Sequence, residues 1–205
     1  VMSEDDAITT VRQRGILMQE AVPAGVGAMA AILALDAAKI EEVLGGIEDV
    51  QIANYNCPGQ IVISGKIEAV EKANEALLAE GAKRAIMLNV SGPFHSDMLQ
   101  GAGKKLGAVL EGVEIHQPAI PYVANVTASY VTSADEVKPL LEKQVSSSVR
   151  WQQSVETMIA DGVDTFIEIG PGRTLAGFMK KISRDVKVFN IEKLEDVEKV
   201  VEQLK

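Results

Sequence analysis

The spacing of apolar residues changes several times along the chain, and the first stretch has the spacing of a helix. It opens at Ser3, a residue type that commonly caps helices, and it ends at Pro23. Its apolar positions recur every three or four residues: Ile8, Val11, Gly15, Met18 and Val22. The pattern therefore predicts a helix of about five turns that buries this face.

Residues 25–90 alternate between the two-residue period of strands and the helical period. Strands are predicted at 28–35, 50–54, 60–64 and 84–90, and helices at 36–44 and 67–80. The turn residues Cys57, Pro58 and Gly59 join the two central strands as a hairpin. Because the order βαββαβ is typical of a ferredoxin-like unit, we predict that residues 25–90 form a small subdomain.

The other residues follow the strand and helix alternation of a parallel α/β layer. Helices are predicted at 97–110, 133–144 and 151–160, in a segment that ends at Ile182, and at 192–205. Strands are predicted at 121–126 and at 163–169, the second of them buried. Residues 1–24 and 91–205 are therefore predicted to form parts of one larger α/β subdomain.

Composition excludes several classes of partner and of metal site. The 205 residues carry a net charge of −9, so neither nucleic acid nor an anionic membrane is expected as a partner. The longest apolar stretches have about ten residues, too few to cross a bilayer. Two histidines and one cysteine are too few for the usual zinc sites, so no metal is expected. A single cysteine cannot form an internal disulfide, which favours a cytoplasmic location.

His95 is the first candidate for chemistry because it follows a predicted buried strand, where α/β proteins place reactive groups. A structural histidine bonded to a nearby carbonyl is an equally weighted alternative. Ser96 is interpreted as the cap of the next helix rather than as a nucleophile. No G-x-S-x-G motif occurs in the sequence, so a serine nucleophile, if one is used, is expected ahead of Val1.

Other polar residues carry weaker signals. Arg12 and Arg14 flank the apolar face of the first helix, and the spacing alone does not choose between them as a clamp for a carboxylate. The turn Gly170–Gly172 lacks the spacing of a phosphate-binding loop and is interpreted as structural. Asn54 and Asn56 lie on one strand face, although turn capping is the commoner role of asparagine there.

Five segments, in this order and spacing, resemble the bacterial malonyl-CoA:acyl carrier protein transacylases. They are Val11–Pro23 (VRQRGILMQEAVP), Asn54–Gly65 (NYNCPGQIVISG), Gly81–Ser96 (GAKRAIMLNVSGPFHS), Gln144–Trp151 (QVSSSVRW) and Glu168–Leu175 (EIGPGRTL). Together the segments are specific, and the likeness covers nearly the whole chain. It implies a hydrolase-like parallel α/β core, incomplete in this chain, with an inserted ferredoxin-like subdomain.

The resemblance also implies an acyltransferase of fatty acid biosynthesis. Such an enzyme moves a malonyl group from coenzyme A to the phosphopantetheine thiol of acyl carrier protein through a serine ester. His95 would be the catalytic base, and the main-chain carbonyl of Gln144 would orient its ring. Arg14 would hold the malonate carboxylate, and Asn56, less surely with Asn54, would line the site. No bound cofactor is implied beyond the coenzyme A thioester and the phosphopantetheine of the carrier.

The carrier protein of this family is acidic, so a chain of net charge −9 needs a local positive face to bind it. Four basic residues on or beside the helix after the glycine turn are the candidates: Arg173, Lys180, Lys181 and Arg184. We expect a monomer, and we expect this chain alone to be inactive because it lacks the serine. Two alternatives stay open, an acyltransferase domain of a polyketide synthase and a non-catalytic ferredoxin-like binding module.

Overall fold

A computed structural model describes residues 1–204 of the chain. Its helices are α1 (Glu4–Ala21), α2 (Ala37–Leu44), α3 (Ile67–Ala79), α4 (Gln100–Glu111), α5 (Ala134–Gln144), α6 (Trp151–Ala160), α7 (Thr174–Ile182) and α8 (Leu194–Leu204). Its strands are β1 (Gly27–Leu33), β2 (Val50–Cys57), β3 (Gln60–Lys66), β4 (Arg84–Met87), β5 (Val123–Ala124), β6 (Ser129–Tyr130), β7 (Thr165–Ile169) and β8 (Lys187–Ile191). The chain is thus an α/β protein with separate antiparallel and parallel sheets.

An antiparallel sheet with the strand order β2-β3-β1-β4 occupies residues 27–87. Helices α2 and α3 pack on one face, and the core between them buries Ile32, Ile40, Ile63 and Leu77 completely. The elements follow the order βαββαβ that the sequence predicts for this block. We call residues 27–87 the antiparallel unit.

The strand predicted at 84–90 is shorter and more exposed than expected. Strand β4 ends at Met87 and lies at the edge of the sheet, where it pairs with β1. Ile86 and Met87 are exposed rather than buried. The prediction of a buried strand leading to His95 is therefore wrong, and a loop of residues 88–96 carries the histidine instead.

Helix α1 begins as predicted, with the Ser3 hydroxyl accepting a hydrogen bond from the Asp6 N–H at 3.1 Å. The predicted buried face is confirmed only at its C-terminal end. Met18 and Val22 are buried and join a core with Leu106 of α4, whereas Ile8 is 70% exposed and Val11 is 68% exposed. Helical period alone does not say along which turns a neighbour packs, so the first half of the apolar stripe is open.

The parallel part of the chain consists of β7 paired with β8, with α7 between them in sequence. The sequence pattern does not predict β8, which lies just before the terminal helix. Strand β7 was expected to be buried, but Ile169 is 78% exposed. Within residues 1–204, β8 is the only strand that pairs with β7, so its other edge is open. We call β7, α7, β8 and α8 the parallel unit.

Smaller differences concern the remaining elements. The predicted strand 121–126 is a short ribbon of β5 and β6. The helix expected from residue 97 starts with a 3-10 turn at Asp97–Leu99, and α4 follows. Helix α8 docks through Val200 and leaves Leu194 exposed, while Lys205 of the predicted terminal helix lies outside the described residues. None of the helices in residues 1–204 is long and apolar enough to cross a membrane.

Candidate active site

His95 lies in the loop between β4 and α4 and is half-buried. Its backbone is left-handed, with a φ of 58°, which is uncommon for a residue with a side chain. The ring Nδ1 lies 3.1 Å from the main-chain oxygen of Gln144. A neutral imidazole that donates from Nδ1 to this carbonyl leaves the lone pair of Nε2 free to accept a proton.

Burial lowers the pKa of His95 below its ordinary value, which is the largest effect on this group. The hydrogen bond to Gln144 opposes that shift, and the positive charge of Arg14 reinforces it. The net effect keeps the imidazole neutral at neutral pH. A neutral ring with a fixed Nδ1 partner is the form in which histidine acts as a general base.

Gln144 is the last residue of α5, so its carbonyl has no later helical N–H to bind. That free acceptor points to His95. The Gln144 side chain reaches ahead in the chain, where its Nε2 donates to the Ser147 carbonyl at 2.9 Å and to the Ser148 carbonyl at 3.3 Å. The amide therefore ties the end of α5 to the loop after it and holds the carbonyl in place.

Arg14 and Arg12, which spacing could not separate, differ in the structure. Arg12 is exposed, whereas Arg14 is partly buried and its charge acts on His95. Burial lowers the pKa of Arg14, but a guanidinium stays charged at all relevant pH values. Among residues 1–204 no carboxylate forms a salt bridge with Arg14. A partly buried guanidinium without a salt bridge, near enough to affect the His95 ring, fits the binding of an anionic substrate.

The loop 145–150 after Gln144 is fastened to the open edge of β2. The Ser148 hydroxyl donates to the Ile52 carbonyl at 2.6 Å, and the Val149 N–H donates to the Ala53 carbonyl at 2.8 Å. Asn54 forms a parallel bridge with Val149 at this edge. Asn56 lies two residues farther along β2, toward the hairpin, and its role in binding stays a prediction.

Two polar residues near His95 have other roles than the sequence indicated. Ser96 begins the 3-10 turn without capping it, and its buried hydroxyl donates to the Pro93 carbonyl at 2.7 Å. The capping interpretation is therefore wrong. Gln51 was missed altogether. Its side chain contacts the backbone of His95 and Asp97, and no sequence signal set it apart, because the same strand also carries Asn54 and Asn56.

The turn Gly170–Gly172 is structural, as interpreted from its spacing. Glu168 accepts hydrogen bonds from the Leu175 and Ala176 N–H groups at 3.0 and 2.9 Å, so its carboxylate caps α7. The Gly172 N–H donates to Glu192 at 3.3 Å. These carboxylates occupy the N–H groups that an anion would need.

The four predicted basic docking residues do not form one cluster. Lys180 and Arg184 line one surface hollow, and Lys180 shares a neighbouring hollow with Arg173 and Lys199. Lys181 points elsewhere and donates to the Gln60 side chain at 3.4 Å, beside the β2–β3 hairpin. Lys199 was not anticipated. Within residues 1–204 no group of three or more His, Cys, Asp or Glu side chains is placed to hold a metal.

A neutral histidine held by a carbonyl, with a guanidinium nearby, is an arrangement suited to acyl transfer. The sequence model of the acyl transferase domain matches residues 1–199, and the chain belongs to this family. Its curated relatives are malonyl CoA-acyl carrier protein transacylases. The Bacillus subtilis relative is 47% identical over 208 residues, covering 100% of this chain and 66% of the relative. A Staphylococcus aureus relative is 43% identical, covering 96% of this chain and 65% of the relative.

Solved structures agree with this assignment. The transacylase of Clostridium perfringens superimposes with a TM-score of 0.93 at 43% identity, over 97% of this chain and 64% of that chain. A malonyl-transacylase in complex with its type II PKS acyl-carrier protein gives a TM-score of 0.93 at 41% identity, over 99% of this chain and 67% of that chain. The resemblance inferred from the five segments is confirmed. The chain spans just under two thirds of the length of its curated relatives.

Proposed function

We propose that this chain is the part of a malonyl-CoA:acyl carrier protein transacylase that supplies the catalytic base and the malonate clamp. The hydrogen bond from His95 to the Gln144 carbonyl is the observation that carries the proposal. It selects the tautomer with a free Nε2, as a serine-activating base requires. The family and the names of the relatives supply the substrate class.

In the proposed reaction Nε2 of His95 accepts the proton of a serine hydroxyl as the serine oxygen attacks the malonyl thioester. The carbon–sulfur bond breaks, the malonyl group remains as a serine ester, and the imidazolium returns the proton to the coenzyme A thiolate. The carrier thiol then gives its proton to Nε2 and attacks the ester. The serine oxygen leaves and regains that proton, so the enzyme is restored.

Arg14 selects the substrate in this scheme. Its guanidinium can donate two parallel hydrogen bonds to the free carboxylate of malonate, which an acetyl group lacks. Partial burial strengthens this interaction because less water competes for the charges. Phe94 precedes His95 and packs against the apolar cluster that contains Met18 and against the one that contains Met29. We infer that its bulk restricts the space for a branched acyl group.

We place the serine on a segment ahead of Val1 that covers apolar surface left open here. About a third of the Bacillus subtilis relative lies outside the part that this chain matches. Strand β7 has an unpaired edge with Ile169 beside it, and α1 exposes Ile8 and Val11. Such a segment completes the hydrolase-like core, with residues 25–90 as the ferredoxin-like insertion and residues 1–24 and 91–205 in the larger subdomain.

A chimera tests the proposal. The N-terminal third of the Bacillus subtilis relative is joined ahead of Val1, and radiolabelled malonyl-CoA is added. The chimera should form a malonyl ester and pass it to acyl carrier protein, whereas the 205-residue chain alone should not. His95→Ala in the chimera should abolish both steps, with His116→Ala as the matched control because His116 is exposed. Full transfer by the His95→Ala chimera, or an ester on the chain alone, contradicts the proposal.

The clamp is tested in the same chimera by comparing Arg14→Lys with Arg12→Lys. Loss of the two-point contact should lower kcat/KM for malonyl-CoA by about 10- to 100-fold. Arg12→Lys should leave kcat/KM unchanged because Arg12 is exposed. Equal effects of the two variants would remove Arg14 from the site.

Carrier binding is proposed at the two neighbouring hollows that Lys180 lines, one with Arg184 and the other with Arg173. Charge reversal of Lys180 and Arg184 in the chimera should raise KM for acyl carrier protein and weaken its salt dependence. Reversal of Lys181 alone should have a smaller effect because that side chain points to the β2–β3 hairpin. A type II polyketide carrier is the second candidate partner, since one similar structure contains it. An unchanged KM and salt dependence in the double variant would exclude this surface.

A further inference from the structure

We propose that Gln51, on strand β2 of the antiparallel unit, is a positioning residue that sets the ring orientation of His95. The inference rests on the proposed role of His95 as the base. Gln51 touches neither substrate nor reacting atoms and acts through the backbone of the His95 turn. Within residues 1–204, Gln51 is the one residue of the antiparallel sheet whose side chain forms hydrogen bonds to that turn.

The Gln51 amide spans the two sides of the turn. Its Oε1 accepts a hydrogen bond from the Asp97 N–H at 2.9 Å, and its Nε2 faces the His95 carbonyl at 3.4 Å. The first contact is short and the second is long, so the grip on Asp97 is the stronger one. Together they fix the backbone on both sides of Ser96.

This grip matters because His95 is in a left-handed conformation that its side chain disfavours. Such a conformation persists only where the surroundings hold it. The Ser96 hydroxyl holds the turn from within the loop by its bond to Pro93. Gln51 holds it from a different part of the fold, so the turn cannot relax without breaking a contact to β2.

The same strand also positions the acceptor of the histidine. Ile52 and Ala53, the next two residues of β2, accept hydrogen bonds from Ser148 and Val149 of the loop after Gln144. The base and its carbonyl partner are far apart in sequence, yet both are attached to three consecutive residues of one strand. A rigid β2 therefore keeps the distance between Nδ1 and the Gln144 oxygen constant.

Histidine NMR on the ¹⁵N-labelled 205-residue chain tests this inference without measuring transfer. The chain has two histidines, and the exposed His116 serves as the internal reference. At mildly alkaline pH, wild-type His95 should show the Nδ1–H tautomer. In Gln51→Ala the Nδ1–H fraction should fall toward that of His116, while the His116 signals stay unchanged.

Gln100→Ala is the matched control, because Gln100 also contacts Asp97 but bonds its carboxylate rather than its backbone. It should leave the His95 tautomer as in wild type. Gln51→Glu keeps an acceptor for the Asp97 N–H and loses the donor to His95, so it should give an intermediate fraction. It also provides the test if Gln51→Ala loses its fold by circular dichroism.

A wild-type tautomer in folded Gln51→Ala, or in folded Gln51→Glu if the alanine variant does not fold, overturns the inference. In the chimera, Gln51→Ala should lower kcat by about 10- to 100-fold with little change in KM for malonyl-CoA. The two failures are distinguishable. If the His95→Ala chimera stays active, the proposed function fails whatever the NMR shows. If the His95→Ala chimera is inactive but Gln51→Ala keeps the wild-type tautomer and kcat, the proposed function stands and Gln51 has no positioning role.

Discussion

The antiparallel unit and the parallel unit both carry apolar residues along their strands but bury them to very different extents. In the first, two helices cover one sheet face, and Ile63 is 0% exposed. In the second, β7 has one partner strand within the described residues, and Ile169 is 78% exposed. An antiparallel sheet can stand on one covered face, whereas a parallel sheet needs cover on both. The core of the first unit is thus closed within these residues, whereas the second unit leaves apolar surface open.

The largest expected difference comes from truncating an isoleucine in each unit. Ile63→Ala removes a fully buried side chain and should cost about 2–5 kcal/mol of unfolding free energy. Ile169→Ala should change it by less than about 0.5 kcal/mol, because the side chain already meets water. Urea titration followed by far-ultraviolet circular dichroism measures both. Equal losses of unfolding free energy in the two variants would contradict the difference in burial between the units. A larger loss for Ile169→Ala in the chimera than in this chain would show that the added segment covers Ile169.

Replacing a glycine should lower the free energy of unfolding in the antiparallel unit and raise it in the parallel unit. A Cβ at Gly65 in β3 would collide with the backbone of Asp49 and Val50, so Gly65→Ala should destabilise by about 1–3 kcal/mol. Gly177 in α7 has open space around it, and Gly177→Ala should stabilise that helix by up to about 1 kcal/mol. Thermal unfolding of both variants tests this. A stable Gly65→Ala protein would show that β2 and β3 are less closely packed than described.

The Glu168 cap of α7 should contribute less to the free energy of unfolding than Ile63 or Gly65 does. Glu168→Ala removes the acceptor of two N–H groups and should cost about 1 kcal/mol. The fluorescence of Trp151, which lies beside β7, reports on this unit. Glu156→Ala is the control. That carboxylate is exposed, and within residues 1–204 its one hydrogen-bond partner is Gln152. Matching effects of the two variants would argue against the cap.

The smallest effect is confined to alkaline pH. Burial and the hydrogen bond to Glu41 raise the pKa of Tyr55 from its ordinary 10.0 to about 12. Folding therefore favours the protonated phenol, and this stabilisation is present below pH 10.0 and is lost as the pH rises toward about 12. Urea titrations at several alkaline pH values should show the loss in wild type and a smaller one in Tyr55→Phe. Identical pH profiles would exclude the contribution.

Much of the local structure could be predicted from the sequence. Ser3 and Pro23 bounded α1 closely, and the turn at Pro58 and Gly59 placed the β2–β3 hairpin. Short-range rules suffice there, because caps and turns depend on neighbours within a few residues. The segments around His95 and Gln144 also identified the family, since a family signature needs no contacts to be recognised.

The exposure of the elements could not be predicted in the same way. Ile8, Val11 and Ile169 are apolar at regular spacing, so their sequence predicts burial, yet each lies on open surface in this chain. Whether an apolar face is buried depends on which element packs against it, and that element is often distant in sequence or outside the segment. Strand β8 was missed for the same reason, because the strand that pairs with it, β7, is separated from it in sequence by α7.

The sequence by itself determined the order of the elements in the antiparallel unit, the family, and the candidacy of His95, Arg14 and Gln144. The tertiary structure decided that Arg14 rather than Arg12 lies near the histidine, that Lys181 leaves the basic surface, and that Gln51 grips the histidine turn. The physical reason is the range of the interactions. Propensity and capping act over a few residues, whereas the site depends on hydrogen bonds that join β2 to two loops more than forty residues away.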